Sequence, residues 1–367
     1  MEAQVNIYRH LFQILVIAIL PGLAAPAAFP QAMKDDFLRY AGIQSVTGRE
    51  ARFIEFLKSL LPAAARPEID NRGNLIVSIG AESVPPLLIV AAVDEPGFLV
   101  TDISEGGYLR VASPGGRGTS PLFAQFHEGH LVDISSKSGI VRGVVALPSS
   151  HLVRGRRESL TVDRMLIDIG ARSKQEVIAR GVEMLNPLAA VKDIAVLAGN
   201  RIAGPMLSRK FGAYALMEAL KGIASLQGKH VVFAWATQSA MSNSGAARLA
   251  RRFAPKRVLV IGSFQRSGGR GSGKDPVEEL DSGVLVPDPE SPGGAGQLLR
   301  DCIKAAGRNV KVALSPTAAP PEARAFGQDA DVLAAAIPVA FPGSLVETVD
   351  LDDLKQLIEF IKIAAGM

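Results

Sequence analysis

Residues 87–100 read LLIVAAVDEPGFLV: an apolar run, two small residues, the adjacent carboxylates Asp94 and Glu95, a Pro-Gly turn and a second apolar run. A continuous apolar run without polar alternation marks a strand buried on both faces, as in the parallel sheet of an α/β protein. Ending such a strand on a carboxylate places that group at the carboxyl edge of the sheet, where α/β enzymes hold metal ligands and bases. The remaining chain must then supply helices for both faces.

It does so around an interruption. Apolar residues at helical spacing (Phe37, Leu38, Tyr40, then Phe53, Ile54, Leu57, Leu60) predict two helices, the second opening near Thr47 with Glu50 as its capping-box partner. A turn at 71–74 leads into a short strand from Leu75. Over residues 101–188 the pattern changes to short β-like runs separated by glycines, which predicts a small barrel or sandwich inserted into the α/β domain. Helix-strand alternation resumes with helices at 211–226 and 244–253 and strands at 231–236 and 258–261, and continues to 365. The expectation is an α/β domain formed by 34–100 and 190–367, carrying an insert at 101–189.

Composition narrows the function classes. With 48% hydrophobic and 21% charged residues the chain is a packed globular protein. Net charge is +4, and the basic clusters at 154–157 and 248–252 lie beside no aromatic or Gly-rich RNA motif, so no nucleic-acid partner is expected. The single cysteine, Cys302, excludes a disulfide framework and any cysteine-rich metal site; the run QLLRDCIKAAG places it on an apolar helical face. Residues 268–275 (GGRGSGKD) fit G-x-x-x-x-G-K, but Asp275 stands where a Ser or Thr would meet magnesium, and the segment reads as a Gly-rich loop. His127 and His130, three apart beside a strand, are two ligands at most and do not make a metal site. His230 lies upstream of Ser239 by a strand length of roughly 25 to 30 Å, too far for a nucleophile-base pair. An apolar run at 11–23, flanked by Arg9 and by Ala25-Pro26-Ala27, reads as a signal peptide over 1–27. Export to the periplasm or exterior follows, or a membrane tether if Pro26 blocks cleavage.

Several spaced signatures then agree: 45–50 (SVTGRE), 70–75 (DNRGNL), 94–98 (DEPGF), the Gly-rich 113–116, His151, 167–171 (IDIGA) with Ser173 and Gly181, Thr237-Gln238, Gly245-Ala246, 327–330 (GQDA) and 343–347 (GSLVE). From about Tyr40 onward the chain resembles the tetrahedral or glutamyl aminopeptidases, co-catalytic zinc metallopeptidases. The resemblance implies a zinc-peptidase-like α/β/α sandwich interrupted by a β-barrel dimerisation domain. It also implies two zinc or cobalt ions, five side-chain ligands and a glutamate base acting on a bridging water.

Carried over by position, those requirements are not met. The family's His-x-Asp strand end is here Ala92-Val93-Asp94, its Asp-Asp-Arg is Leu207-Ser208-Arg209, and its Glu-Glu pair is Ser239-Ala240. The next strand ends in Gly262 without an aspartate, and the late His-Ser-x-x-Glu begins at Gly343. Asp94 is the retained site residue, with Asp329 and Glu347 the other surviving carboxylates. The resulting expectation is a homologue without a metal pair or other cofactor, with peptides or a paralogous subunit as partner and self-association through the inserted domain. An active hydrolase with a reorganised site and a regulatory subunit of an active paralogue are the alternatives.

Overall fold

The computed structural model describes residues 31–115, 122–147, 159–223, 226, 228–262, 280–288, 296–315, 320–327 and 330–367. The segment 1–27, the Gly-rich loop 268–275, His151 and Asp329 lie outside the described residues. In chain order the strands are β1 (Glu68–Ile69), β2 (Leu75–Gly80), β3 (Leu87–Ala92), β4 (Phe98–Ile103), β5 (Leu109–Ala112), β6 (Leu131–Ser136), β7 (Gly139–Val145), β8 (Leu166–Asp168) and β9 (Pro187–Ala190). After these come β10 (Ala195–Val196), β11 (Arg201–Gly204), β12 (His230–Ala236), β13 (Arg257–Ile261), β14 (Val284–Pro287), β15 (Val312–Ser315), β16 (Asp331–Ala335) and β17 (Glu347–Asp350).

The main sheet has the order β1-β2-β12-β3-β13-β16, with β12, β3, β13 and β16 parallel and β2 antiparallel to β12. All six residues of β3 and all seven of β12 are buried. The unbroken apolar run is explained by two cores meeting on one strand. Leu87, Ile89 and Ala91 enter the core beneath the helices Gln31–Ala41, Ala51–Ser59, Phe211–Lys221 and Leu351–Ala365. Leu88 and Val90 enter the opposite core with Ala246 and Leu249 of helix Ser244–Phe253. Each fully buried Leu, Ile or Val contributes about 1.5–3 kcal/mol, so no polar residue is tolerated before the strand ends.

Immediately after β3 the chain leaves the sheet for a closed barrel, β4-β5-β8-β7-β6-β9, filled by Phe98, Val100, Leu109, Val132, Ile134, Ile167 and Leu188. Its strands span Phe98 to Ala190. The junction is held by a buried ionic cluster: Glu95 accepts from Lys192 Nζ at 2.5 Å, from Ser45 N at 3.0 Å, and lies 3.6 Å from Lys210 Nζ. Burial alone would raise the Glu95 pKa, but Lys192 and Lys210 outweigh it and hold the carboxyl below its ordinary value. Burial also brings Lys210 down to about 8.

Two local expectations give way to long-range contacts. The second helix starts at Ala51, not near Thr47, because Thr47 Oγ1 donates to Asp94 at 2.7 Å and the Glu50 carboxylate accepts from Gly48 N and Gln238 N at 2.8 and 2.9 Å. The helix from Phe211 ends at Lys221, capped by Gly222, and does not reach 226. Cys302 is buried on helix Gln297–Ala306, where burial pushes its thiol up to about 12 and leaves it inert. Among the described residues no helix is long and apolar enough to cross a membrane.

Asp353 supplies a pH handle on this core. It is 1% exposed, accepts from Gly283 N and Asp281 N, and burial raises it from 3.8 to about 7. With the folded value above the unfolded one, its contribution to stability is complete below about pH 4 and is lost as pH rises through about 7. Thermal unfolding of wild type and Asp353→Asn across roughly pH 4 to 8 is expected to show a decline in that window for wild type, absent from the variant.

Candidate functional site at the carboxyl edge of the sheet

The site is assembled where β3 and β12 end side by side, with Ala92 paired to Ala236. Asp94, 1% exposed, accepts through Oδ1 from Ser239 N at 2.9 Å and through Oδ2 from the Thr47 hydroxyl at 2.7 Å and Ala240 N at 3.3 Å. The loop after β12 is held from its other side by Asn74, whose Oδ1 accepts from Thr237 N at 2.9 Å while Nδ2 donates to Gly245 O at 3.1 Å. Glycine is required at 245, since a Cβ there would stand 2.2 Å from Thr237 O.

Glu347 does the same work on the other wall. It accepts from Ser208 N and Oγ at 2.7 and 2.9 Å and from Gly343 N at 2.7 Å. Burial raises its pKa above the ordinary carboxylate value despite these donors. Leu207 is fully buried in the main core and does not line the cleft. Gly343 sits at φ +77, in left-handed backbone. At Gly262 a Cβ would come within 2.7 Å of Pro320 Cβ, so even an alanine there forces Pro320 to move. Arg209 Nη1 donates to Glu322 Oε1 at 3.1 Å.

An open cleft of about 810 Å³ remains between these elements, lined by Arg209, Ser239, Ala240, Asn243, Glu322 and Arg324 among others. The backbone around it is strained. Met206, Gln238, Ser242, Asn243 and Phe341 all have φ between +53 and +57, and each lies within three residues of Leu207, Ser239, Ala240 or Gly343. Such conformations cost about 1–3 kcal/mol each and persist only where surrounding bonds over-determine them. Glu50 accepts from Gln238 N, Asn243 Nδ2 donates to Pro321 O, and Asp94 and Glu347 hold the neighbouring Ser239, Ala240, Ser208 and Gly343.

The structure therefore brings Asp94, Ser239 and Ala240 into direct contact, and ties Gly343 to Glu347. Leu207 faces the core, and Gly262 packs against the segment that carries Glu322. Glu322 and Arg324 were not legible in the sequence; they sit on a short 3-10 turn, Pro321–Phe326, without periodic or motif signal. His127 is a core residue: its Nδ1 bonds Phe123 O at 2.7 Å, Phe98 and Phe123 pack on its ring, and burial pushes it down to about 4. His230 is engaged by Ser78 Oγ at 2.8 Å and Val84 O at 2.9 Å, on the strand end opposite Ser239. Among the described residues no three His, Cys, Asp or Glu side chains converge to hold a metal ion. At the positions that the resemblance assigns to ligands and base stand Ala92, Leu207, Ser239, Ala240, Gly262 and Gly343, of which only Ser239 carries a side-chain oxygen.

A parallel-centred sheet with its site at the carboxyl edge, interrupted after β3 by a closed six-stranded barrel, defines the architecture of the barrel-bearing aminopeptidases. The chain matches the M42 glutamyl aminopeptidase family over residues 73–360, more than half its length, and belongs to that family. It is similar to the TET1 peptidase of Pyrococcus horikoshii, which assembles into a tetrahedron or a large octahedral shell: 28% identity, TM-score 0.81, covering 91% of this chain and 99% of that one. Among curated relatives, FrvX of Escherichia coli is 29% identical over 183 residues, covering 49% of this chain and 50% of that protein. The lysyl aminopeptidase of Pyrococcus furiosus is 28% identical over 171 residues, covering 46% and 47%. The chain thus spans about half the length of these two relatives.

Removing the Asp94 carboxylate would strand two backbone N–H groups and a buried hydroxyl. Asp94→Ala is expected to lower unfolding stability by on the order of 3 kcal/mol in urea denaturation. Gly262→Asp, which restores a family carboxylate, is expected to cost about 1–3 kcal/mol through overpacking against Pro320 and to leave metal content unchanged.

Proposed function

We propose that this chain is a non-hydrolysing member of the M42 family whose cleft binds a ligand without cleaving it. The observation that carries the reading is the use of Asp94 and Glu347 as acceptors for the amides of Ser239, Ala240, Ser208 and Gly343, positions where the family resemblance calls for metal ligands, a base or their neighbours. Asp94 and Glu347 each accept three hydrogen bonds from the chain's own donors, and a neutral Ser239 hydroxyl is a weak zinc ligand. Persistence of an open cleft of about 810 Å³ favours binding over a purely architectural role.

Self-association through the barrel is the second part of the proposal. Leu131, Ile140 and Leu147 are 51%, 46% and 54% exposed on the insert, and the Pyrococcus horikoshii relative forms closed shells. Export, directed by residues 1–27, is the third. A regulatory subunit and an active enzyme with a reorganised site are the competing readings.

Purified protein incubated with zinc, cobalt or manganese is expected to retain no stoichiometric metal after desalting, and to release no amino acid from peptides with a free amino terminus. Two tightly held metals per chain, or amino-terminal release, would sink the reading. Light scattering on wild type and Leu131→Asp is expected to give an oligomer and a smaller species respectively.

A further inference from the structure

We infer that the cleft is a carboxylate site, with Arg209 and Arg324 as anchors and the carboxyl terminus of a peptide as occupant; this rests on the binding role proposed for the same cleft. What a ligand can reach decides its class. Among the described residues, three ionic side chains line the cleft: Arg209, Glu322 and Arg324. Glu322 is 2% exposed and already accepts from Arg209. Asp94 and Glu347, each 1% exposed, are engaged by backbone amides. Arg209 keeps 23% of its side chain exposed and gives Glu322 one hydrogen bond, and Arg324 is exposed. Among the described ionic side chains of the cleft, the ones with appreciable exposed surface are the guanidinium groups of Arg209 and Arg324.

Two further features point the same way. Helix Ser244–Phe253 begins directly after Asn243 in the cleft wall, with no acidic residue in its first turn and no side-chain cap, so its positive end is uncompensated. Ser113 and Ser239 also line the cleft, and their hydroxyls, buried from solvent, have no hydrogen-bond partner. A guanidinium fork matches the two oxygens of a carboxylate. The volume, about 810 Å³, suits several residues of extended chain better than a lone small acid. The peptide would enter carboxylate first, the reverse of an orientation that presents an amino terminus for cleavage.

The test is calorimetric titration of the full chain with four probes: an N-acetyl hexapeptide bearing a free carboxyl, its carboxamide, the carboxamide with a free amino terminus, and succinate. The acid peptide is expected to bind at least about tenfold more tightly than either carboxamide, the scale of one charged hydrogen-bonded pair. Arg324→Gln is expected to weaken it about tenfold with an unchanged unfolding midpoint. Arg209→Lys, which keeps a cation facing Glu322 and loses the fork, is expected to weaken it as well. Equal binding of acid and carboxamide, or preference for the free amino terminus, would overturn the inference. Succinate matching the acid peptide would overturn the peptide assignment and leave a small organic acid as occupant. Metal content measured on the same sample separates the two readings: a metal-loaded, amino-acid-releasing protein defeats the non-hydrolysing role, whereas indifference to the carboxylate in metal-free protein defeats this inference alone.

Discussion

The Asp94 carboxylate is the contact on which the carboxyl edge depends. It gathers Thr47, Ser239 and Ala240 from two separate parts of the chain onto the end of β3. Its neighbour Glu95 faces the other way and binds Lys192, where the chain returns from the barrel. One dipeptide thus joins the sheet, the loop after β12 and the insert. Both carboxylates are buried, and each is compensated, the first by amides and a hydroxyl, the second by two lysines.

This arrangement commits the buried carboxylates at the sheet edge to the chain's own donors. In a metal centre, carboxylates direct lone pairs at cations; here Asp94 and Glu347 direct them at backbone N–H groups. Positive charge comes instead from Arg209, placed within electrostatic reach of Glu322, Asp94 and Glu347, with burial opposing its charge and those carboxylates holding its pKa above the ordinary value. Left-handed residues around the cleft persist where long-range hydrogen bonds hold the loops in place.

Much of the fold was legible in the order of the residues alone. The buried run of β3, the glycine-punctuated barrel segment, the returning helices and strands, and the membership of the aminopeptidase family all follow from patterning and from short motifs. Element starts were less so. Thr47 and Glu50 carry the letters of a local cap, yet their side chains are taken by Asp94, Gly48 and Gln238, and the helix opens later. His127 and His130 carry the letters of a metal pair, but His127 is packed between two phenylalanines.

Periodicity and motif order survive in one dimension, so the chain itself specifies the family, the discontinuous sheet and the residues that stand at Ala92, Leu207, Ser239, Ala240, Gly262 and Gly343. What the surviving carboxylates do is settled in three dimensions. Whether Asp94 faces a cation or an amide depends on residues 47 and 239, distant in the chain and adjacent in space. The same holds for Glu322, which no motif marks and which meets Arg209 across 113 residues. Long-range hydrogen bonds, set by how the elements pack, carry that information.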